Sequence, residues 1–202
     1  MALLHRAEIR PTKLELLAAW LPGQPWFAGG TGAEVERVAA YRFDDPAGEV
    51  GIETLLVRVG DGPVHQVPLT YRDAPLAGAD DRLVGTTHHS VLGERWVYDG
   101  CGDPVYAAAL ADAILAGTGQ AEEFFEVDGR REVRPPNMTV AVDGTAAAGA
   151  PGDGGERIAT DTADLAVLRR PAEEAALTGR VLTGTWADQP TPLPLAYAWP
   201  RR

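Results

Sequence analysis

The chain has 202 residues, 45% hydrophobic and 23% charged. That is globular composition, and a chain of this length buries roughly 70% of its unfolded surface without a disulfide or metal staple. Its formal net charge of −11, from 29 acidic and 18 basic residues, repels phosphate backbones and anionic lipid, so neither nucleic acid nor a membrane is an expected partner.

The first predicted element is a helix. Thr12 followed by Glu15 is a capping-box pattern, and Leu14, Leu17, Ala18 and Leu21 fall on one face at helical spacing. Pro22 ends it. The chain then runs through Trp20-Leu-Pro-Gly-Gln-Pro-Trp-Phe-Ala-Gly-Gly30, a corner stiffened by proline, turned by glycine and filled with aromatic rings. Apolar bulk of this kind plugs the end of a sheet. A sugar or peptide platform is the other reading, with Trp20, Gln24, Trp26 and Phe27 as its binding residues. Strands are predicted over 35–43, 53–59 and 64–71, the last two joined by the hairpin signal Gly60-Asp-Gly62. Leu55, Leu56, Val57 and Val59 alternate imperfectly, which implies a strand covered on both faces.

A second helix starts at Asp103 as N-cap, with Pro104 in the first helical position, and stops at Gly117. Tyr106, Leu110, Ala113 and Ile114 form its apolar stripe. Further strands are predicted over 124–127, 131–134, 139–142, around Ile158 and over 165–169, with a closing hairpin of 180–186 and 193–199. The small-residue run 144–155 is expected to be a flexible loop.

Catalytic signals are sparse. Gly29-Gly-Thr-Gly32 lacks the lysine and hydroxyl of a P-loop, and 152–155 lacks dinucleotide spacing. Cys101 is the single cysteine; it excludes an internal disulfide and a Cys/His zinc array, and reads as a small buried residue. His88 and His89 are expected in a solvated loop as candidate binding residues, but adjacent strand side chains point apart and would not converge on a metal. His65 reads as a structural, hydrogen-bonded residue. Ser90 lacks a nucleophile elbow. No catalytic residue, metal site or cofactor is expected. Met1 to Arg6 is too short in its apolar part for a signal peptide, and no stretch reaches the about 18 apolar residues of a membrane span. A cytoplasmic protein is therefore expected.

Three segments carry a family resemblance. Trp20 to Gly30 is similar to the Trp-Leu-Pro-x-Gln-Arg-Trp-Phe-x-Gly-Lys pattern of the N-terminal cap of bacterial maltokinases, with Pro25 and Gly30 where that pattern has Arg and Lys. Gln66-Val-Pro-Leu-Thr-Tyr-Arg72 resembles its second hairpin strand. Tyr98-Asp-Gly-Cys-Gly-Asp-Pro104 resembles the entry to its second helix. Beyond these, Asn137-Met-Thr-Val140 and Leu165-Ala-Val-Leu-Arg-Arg170 resemble strands of a kinase small lobe, with Ala166 or Val167 where the ATP lysine is expected. No His-Gly-Asp or His-Arg-Asp loop and no Asp-Phe-Gly follows.

The resemblance implies an α+β protein of curved antiparallel sheets with a few packed helices: a cap-like unit over 1–120 and a strand-rich, small-lobe-like unit over 121–202. It implies a non-catalytic accessory or regulatory binding protein of maltose, trehalose or α-glucan metabolism, whose partner is a kinase or glucan-pathway enzyme. A homodimer that covers exposed sheet edges is also expected. The alternative is a small-molecule (sugar or nucleotide) binder, or an enzyme of new type, with a pocket between the Trp26–Phe27 corner and the His88–His89 loop.

Overall fold

The computed structural model describes residues 2–4, 7–30, 34–127, 129–144, 155–171 and 179–201. In chain order the strands and helices are β1 (Ala2–Leu4), β2 (Ile9–Arg10), α1 (Lys13–Trp20), β3 (Val35–Phe43), β4 (Gly51–Val59), β5 (His65–Arg72), β6 (Leu83–His89), β7 (Gly93–Asp99), α2 (Pro104–Ala111), β8 (Glu123–Val127), β9 (Arg130–Val133), β10 (Met138–Asp143), β11 (Glu156–Ala159), β12 (Ala163–Val167), β13 (Arg180–Trp186) and β14 (Gln189–Pro200). They form a six-stranded sheet in the order β2-β6-β7-β5-β4-β3, a five-stranded sheet β10-β13-β14-β12-β11, and a three-stranded sheet β1-β8-β9. Every pairing is antiparallel except β1 with β8. This is the expected α+β architecture.

The six-stranded sheet is covered on both faces, and β4 shows why its sequence does not alternate. Leu55, Val57 and Val59 point to a cluster with Leu16, Leu17 and Leu21 of the first helical segment, together with Val67, Leu69 and Val97. Ile52 and Leu56 point the other way, into a core with Tyr41, Phe43 and the α2 segment residues Tyr106, Leu110 and Ile114. A strand with helices on both sides has no polar face. The same core takes Met138, Leu165, Val167, Leu182, Ala196 and Ala198 from the five-stranded sheet. The α2 segment is therefore packed between two sheets, and one hydrophobic core spans the cap-like and strand-rich parts.

Both helix starts form as the residues predict. Thr12 Oγ1 accepts the Glu15 N–H at 3.2 Å, while the Thr12 N–H donates to the Glu15 carboxylate at 2.6 Å. Asp103 caps α2, accepting the Val105 N–H at 2.9 Å. A π-type turn over Asp112–Ala116 extends α2, and Gly117 closes it at φ 73°, a left-handed conformation that glycine adopts without a Cβ clash.

Three local expectations change. The buried face of α1 is rotated: Leu16, Leu17 and Leu21 are buried, Leu14 is half-buried and Ala18 is exposed. Residues 165–169 are not all strand; β12 ends at Val167, which frees Arg169 for the ion-pair cluster described below. His88 and His89 lie in a strand rather than a loop, because β7 pairs Glu94 with His88 and Gly93 with His89. The polar run Thr86-Thr-His-His89 carries no apolar alternation of its own; its partner strand supplies the order. Of the predicted flexible loop 144–155, residues 145–154 lie outside the described residues.

Candidate functional site

The corner from Trp20 to Gly30 begins where α1 gives way to a 3₁₀ turn over Leu21–Gly23. Gln24 closes the helix end: its Nε2 donates to the Trp20 carbonyl at 3.3 Å, and its own carbonyl accepts the Phe27 N–H at 3.1 Å. The Trp20 and Trp26 ring centroids are 5.8 Å apart. Trp26 and Phe27 flank His65, at 6.0 and 5.0 Å between ring centroids. His65 is fully buried, and its Nε2 accepts the Ala28 N–H at 3.1 Å. An accepting Nε2 carries no proton, so this ring is held neutral as a backbone anchor. Trp20, Gln24, Trp26 and Phe27 are each half-buried. The four corner residues are thus brought together, with Gln24 committed to the helix terminus.

Trp26 has a second partner, which sequence reasoning missed. The guanidinium of Arg169 lies over its ring, 4.5 Å from the centroid, a cation–π contact. Arg169 is itself buried at 6% exposure. It donates to Asp99 Oδ2 at 2.6 Å and, through Nε, to Glu156 at 2.6 Å. Arg82 joins both carboxylates, reaching Asp99 Oδ2 at 3.3 Å and Glu156 through a short contact. Two arginines and two carboxylates form a closed cluster. It ties β7 of the six-stranded sheet to β11 and the end of β12 in the five-stranded one. Burial raises the Glu156 carboxyl, but Arg169 and Arg82 outweigh it and hold the group below its ordinary value.

Gln66 makes a second tie between the sheets. It is fully buried, and its Nε2 donates to the Leu168 carbonyl at 3.0 Å and the Leu195 carbonyl at 2.9 Å. Its Oε1 accepts the Tyr41 hydroxyl at 3.2 Å, and its backbone N–H reaches the Arg169 carbonyl at 2.8 Å. At the other end of β5, Arg72 grips Asp103 bidentately, both bonds at 2.7 Å, and Thr70 adds a third at 2.7 Å. Burial raises the Asp103 carboxyl, and the bonds from Arg72, Thr70 and the Val105 N–H more than offset it, so the group stays ionised below the usual carboxylate range. The segments 66–72 and 98–104, singled out separately in the sequence, therefore meet in space.

A second charged cluster sits on the α1 face of the six-stranded sheet. Glu53 is 4% exposed. It pairs with Lys13, accepts Arg42 Nη2 at 2.8 Å and accepts the Tyr71 hydroxyl at 2.8 Å. Burial pushes this carboxyl up; the Lys13 and Arg42 charges pull it further down, to about 2. Lys13 is the only lysine in the sequence, and it is spent here.

The histidine pair stands apart from the corner. His88 is exposed, with Nδ1 3.8 Å from Glu94. His89 Nδ1 accepts the Val91 and Leu92 N–H groups at 3.2 and 3.1 Å, closing its own hairpin. The register fixes the separation: β5 pairs with β7 from Leu69↔Asp99 to Arg72↔Trp96, and Gly93, the partner of His89, lies beyond Trp96. His65 and the corner are at the opposite end of β5. The expected pocket between the Trp26–Phe27 corner and His88–His89 is not formed, since the sheet holds the two at opposite ends. Among the described residues, no group of three or more His, Cys, Asp or Glu is arranged to hold a metal ion. Cys101 is buried, and burial raises its thiol well above the ordinary range. Among the described residues, no helix is long and apolar enough to cross a membrane.

Comparison with known proteins bears on the first half of this arrangement. No curated protein matches it. A family model described as the maltokinase N-terminal cap domain matches residues 20–103, from the aromatic corner through β3–β7 to the cap of α2. Residues 20–103 are thus similar to a maltokinase N-terminal cap domain.

Proposed function

We propose that this chain is a non-catalytic accessory or regulatory binding protein of maltose, trehalose or α-glucan metabolism, which docks on a kinase or glucan-processing enzyme. The observation that carries the reading is the cap match over residues 20–103, joined through one core to a five-stranded antiparallel sheet. That sheet supports the small-lobe reading of residues 121–202. The chemistry of the side chains supports the non-catalytic part. Phosphoryl transfer needs a phosphate-binding cation, metal-holding carboxylates and a base held together. In this chain Lys13 is engaged with Glu53, Ala166 and Val167 are fully buried apolar residues of β12, and the buried carboxylates Asp99 and Asp103 are held by arginines.

The test is a titration of the purified chain against purified maltokinase and α-glucan enzymes, read by light scattering on a sizing column. A one-to-one complex with one of them supports the proposal. Failure to associate with any of them at micromolar concentrations refutes it.

A further inference from the structure

A cavity of about 310 Å³ opens where the three sheets meet, and no residue of the aromatic corner lines it. Its polar wall is built by Arg37 and Glu53 of the six-stranded sheet, Glu122 and Glu123 at the entry to β8, and Arg134 and Asn137 between β9 and β10. Val133 and Pro136 add an apolar side. The volume lies at the low end of the roughly 300–1,000 Å³ typical of small-molecule sites.

What the cavity can hold follows from which of these groups are already committed. Glu53 is saturated by Lys13, Arg42 and Tyr71. Glu123 lies 3.3 Å from Arg42 Nε through one oxygen and 3.3 Å from Arg134 Nη1 through the other. Asn137 spends its Oδ1 on the Ala40 N–H at 3.1 Å, which leaves its amide donors. Arg134 spends one nitrogen of its guanidinium on Glu123. Arg37 is exposed and, among the described residues, forms no ion pair. Donors therefore outnumber acceptors: the Arg37 guanidinium, the rest of the Arg134 guanidinium and the Asn137 amide face one uncommitted carboxylate, Glu122. The cavity wall holds Arg37 and Arg134 against Glu53, Glu122 and Glu123, and Lys13 and Arg42, which do not line it, offset Glu53 and Glu123. With those two carboxylates offset, the open donors of Arg37 and Arg134 are the groups left to meet an oxyanion, in a chain of net charge −11. Guanidinium forks match the geometry of carboxylate and phosphate oxygens.

We propose that this cavity binds a small organic oxyanion, a phosphate ester or a carboxylate, with Arg37 and Arg134 on the charged group and the ligand body against Val133 and Pro136. The site stands independently of any docking partner. The test is a calorimetric titration of the purified chain with glycerol 3-phosphate, with succinate, and with glycerol as the neutral control. The expected result is saturable binding of at least one anion with Kd of about 1 mM or tighter, and none of glycerol. The tighter of the two anions identifies the class. Arg37→Gln should weaken binding about threefold or more, and Glu122→Gln should tighten it by a similar factor, as expected for exposed charge contacts. Circular dichroism confirms that both variants fold. Absence of saturable binding by either anion overturns the proposal. So does equal binding of glycerol, or affinity unchanged in both folded variants.

Discussion

Replacing Gln66 by leucine keeps the side chain's size and removes its polar end. Three contacts go: the donations to the Leu168 and Leu195 carbonyls and the acceptance from the Tyr41 hydroxyl. They are not equally costly. The Leu195 carbonyl keeps the Leu168 N–H at 2.9 Å, and the nearby Thr54 hydroxyl, which makes no hydrogen bond of its own, is there to take up Tyr41. The Leu168 carbonyl loses its side-chain donor in a site closed to water. A buried group left without a partner costs about 1–3 kcal/mol, and each lost but replaceable bond about 0.5–1.5 kcal/mol. The sum for Gln66→Leu is about 2–6 kcal/mol. For a chain of this size that lowers Tm by about 4–24 °C. Thermal unfolding followed by far-ultraviolet circular dichroism and by tryptophan fluorescence measures it. Because Trp26 and Trp96 lie in the cap and Trp186 and Trp199 in the strand-rich part, both probes should report one transition, moved as a unit. A loss under about 1 kcal/mol, or a split into two transitions in the unmodified chain, refutes the idea that Gln66 bolts two sheets around one core.

Acid should expose the Glu53 cluster. Its carboxyl lies at about 2 when folded against an ordinary 4.5, so the stability it contributes is fully present above about pH 4.5 and is lost as pH falls towards 2. That lowering corresponds to about 3 kcal/mol, and Glu53→Gln should flatten the stability–pH curve in that window when denaturant melts are run across it. Asp103→Ala removes the α2 cap and leaves Arg72 unpaired; a loss of about 3 kcal/mol or more is expected in urea melts, against about 1 kcal/mol for an ordinary cap. Arg169→Met should cost about 3 kcal/mol or more, because buried Asp99 then keeps Arg82 as its one cationic partner beside the Cys101 N–H, and it should shift the Trp26 emission, which a double variant with Trp26→Phe abolishes. His88→Ala, at an exposed pair, should change stability by less than about 0.5 kcal/mol.

Much of this architecture is legible from residues alone, and the boundary of legibility has physical causes. Capping signals and hairpin turns are local, so Thr12–Glu15, Asp103–Pro104, Gly60–Gly62 and Gly117 specify their structures without help from the rest of the chain. The apolar run of β4 also speaks for itself, since a strand without a polar face must be covered twice. The β6 strand does not, because Thr86 to His89 acquire strand pairing only from β7. The Arg169 cluster is equally silent in sequence: Arg82, Asp99, Glu156 and Arg169 are far apart along the chain and meet only when two sheets close. The aromatic corner was visible as a packed unit, yet its two central partners, His65 and Arg169, come from different sheets. Gln24 was legible as part of the corner, and its role as a helix terminator follows only from the direction of its side chain. The cavity gave no signal as a site, since Arg37, Glu122, Glu123 and Arg134 look like ordinary solvated surface until three sheets are brought together.

The most direct test of the account is whether the purified chain transfers phosphate. With Mg²⁺-ATP and maltose supplied in excess, phosphorylated sugar is measured by mass spectrometry against a blank without protein. The account predicts no product above the blank, because Lys13 and the buried carboxylates are engaged in structural pairs. Catalytic turnover of maltose by this chain alone, lost on denaturation, would contradict it.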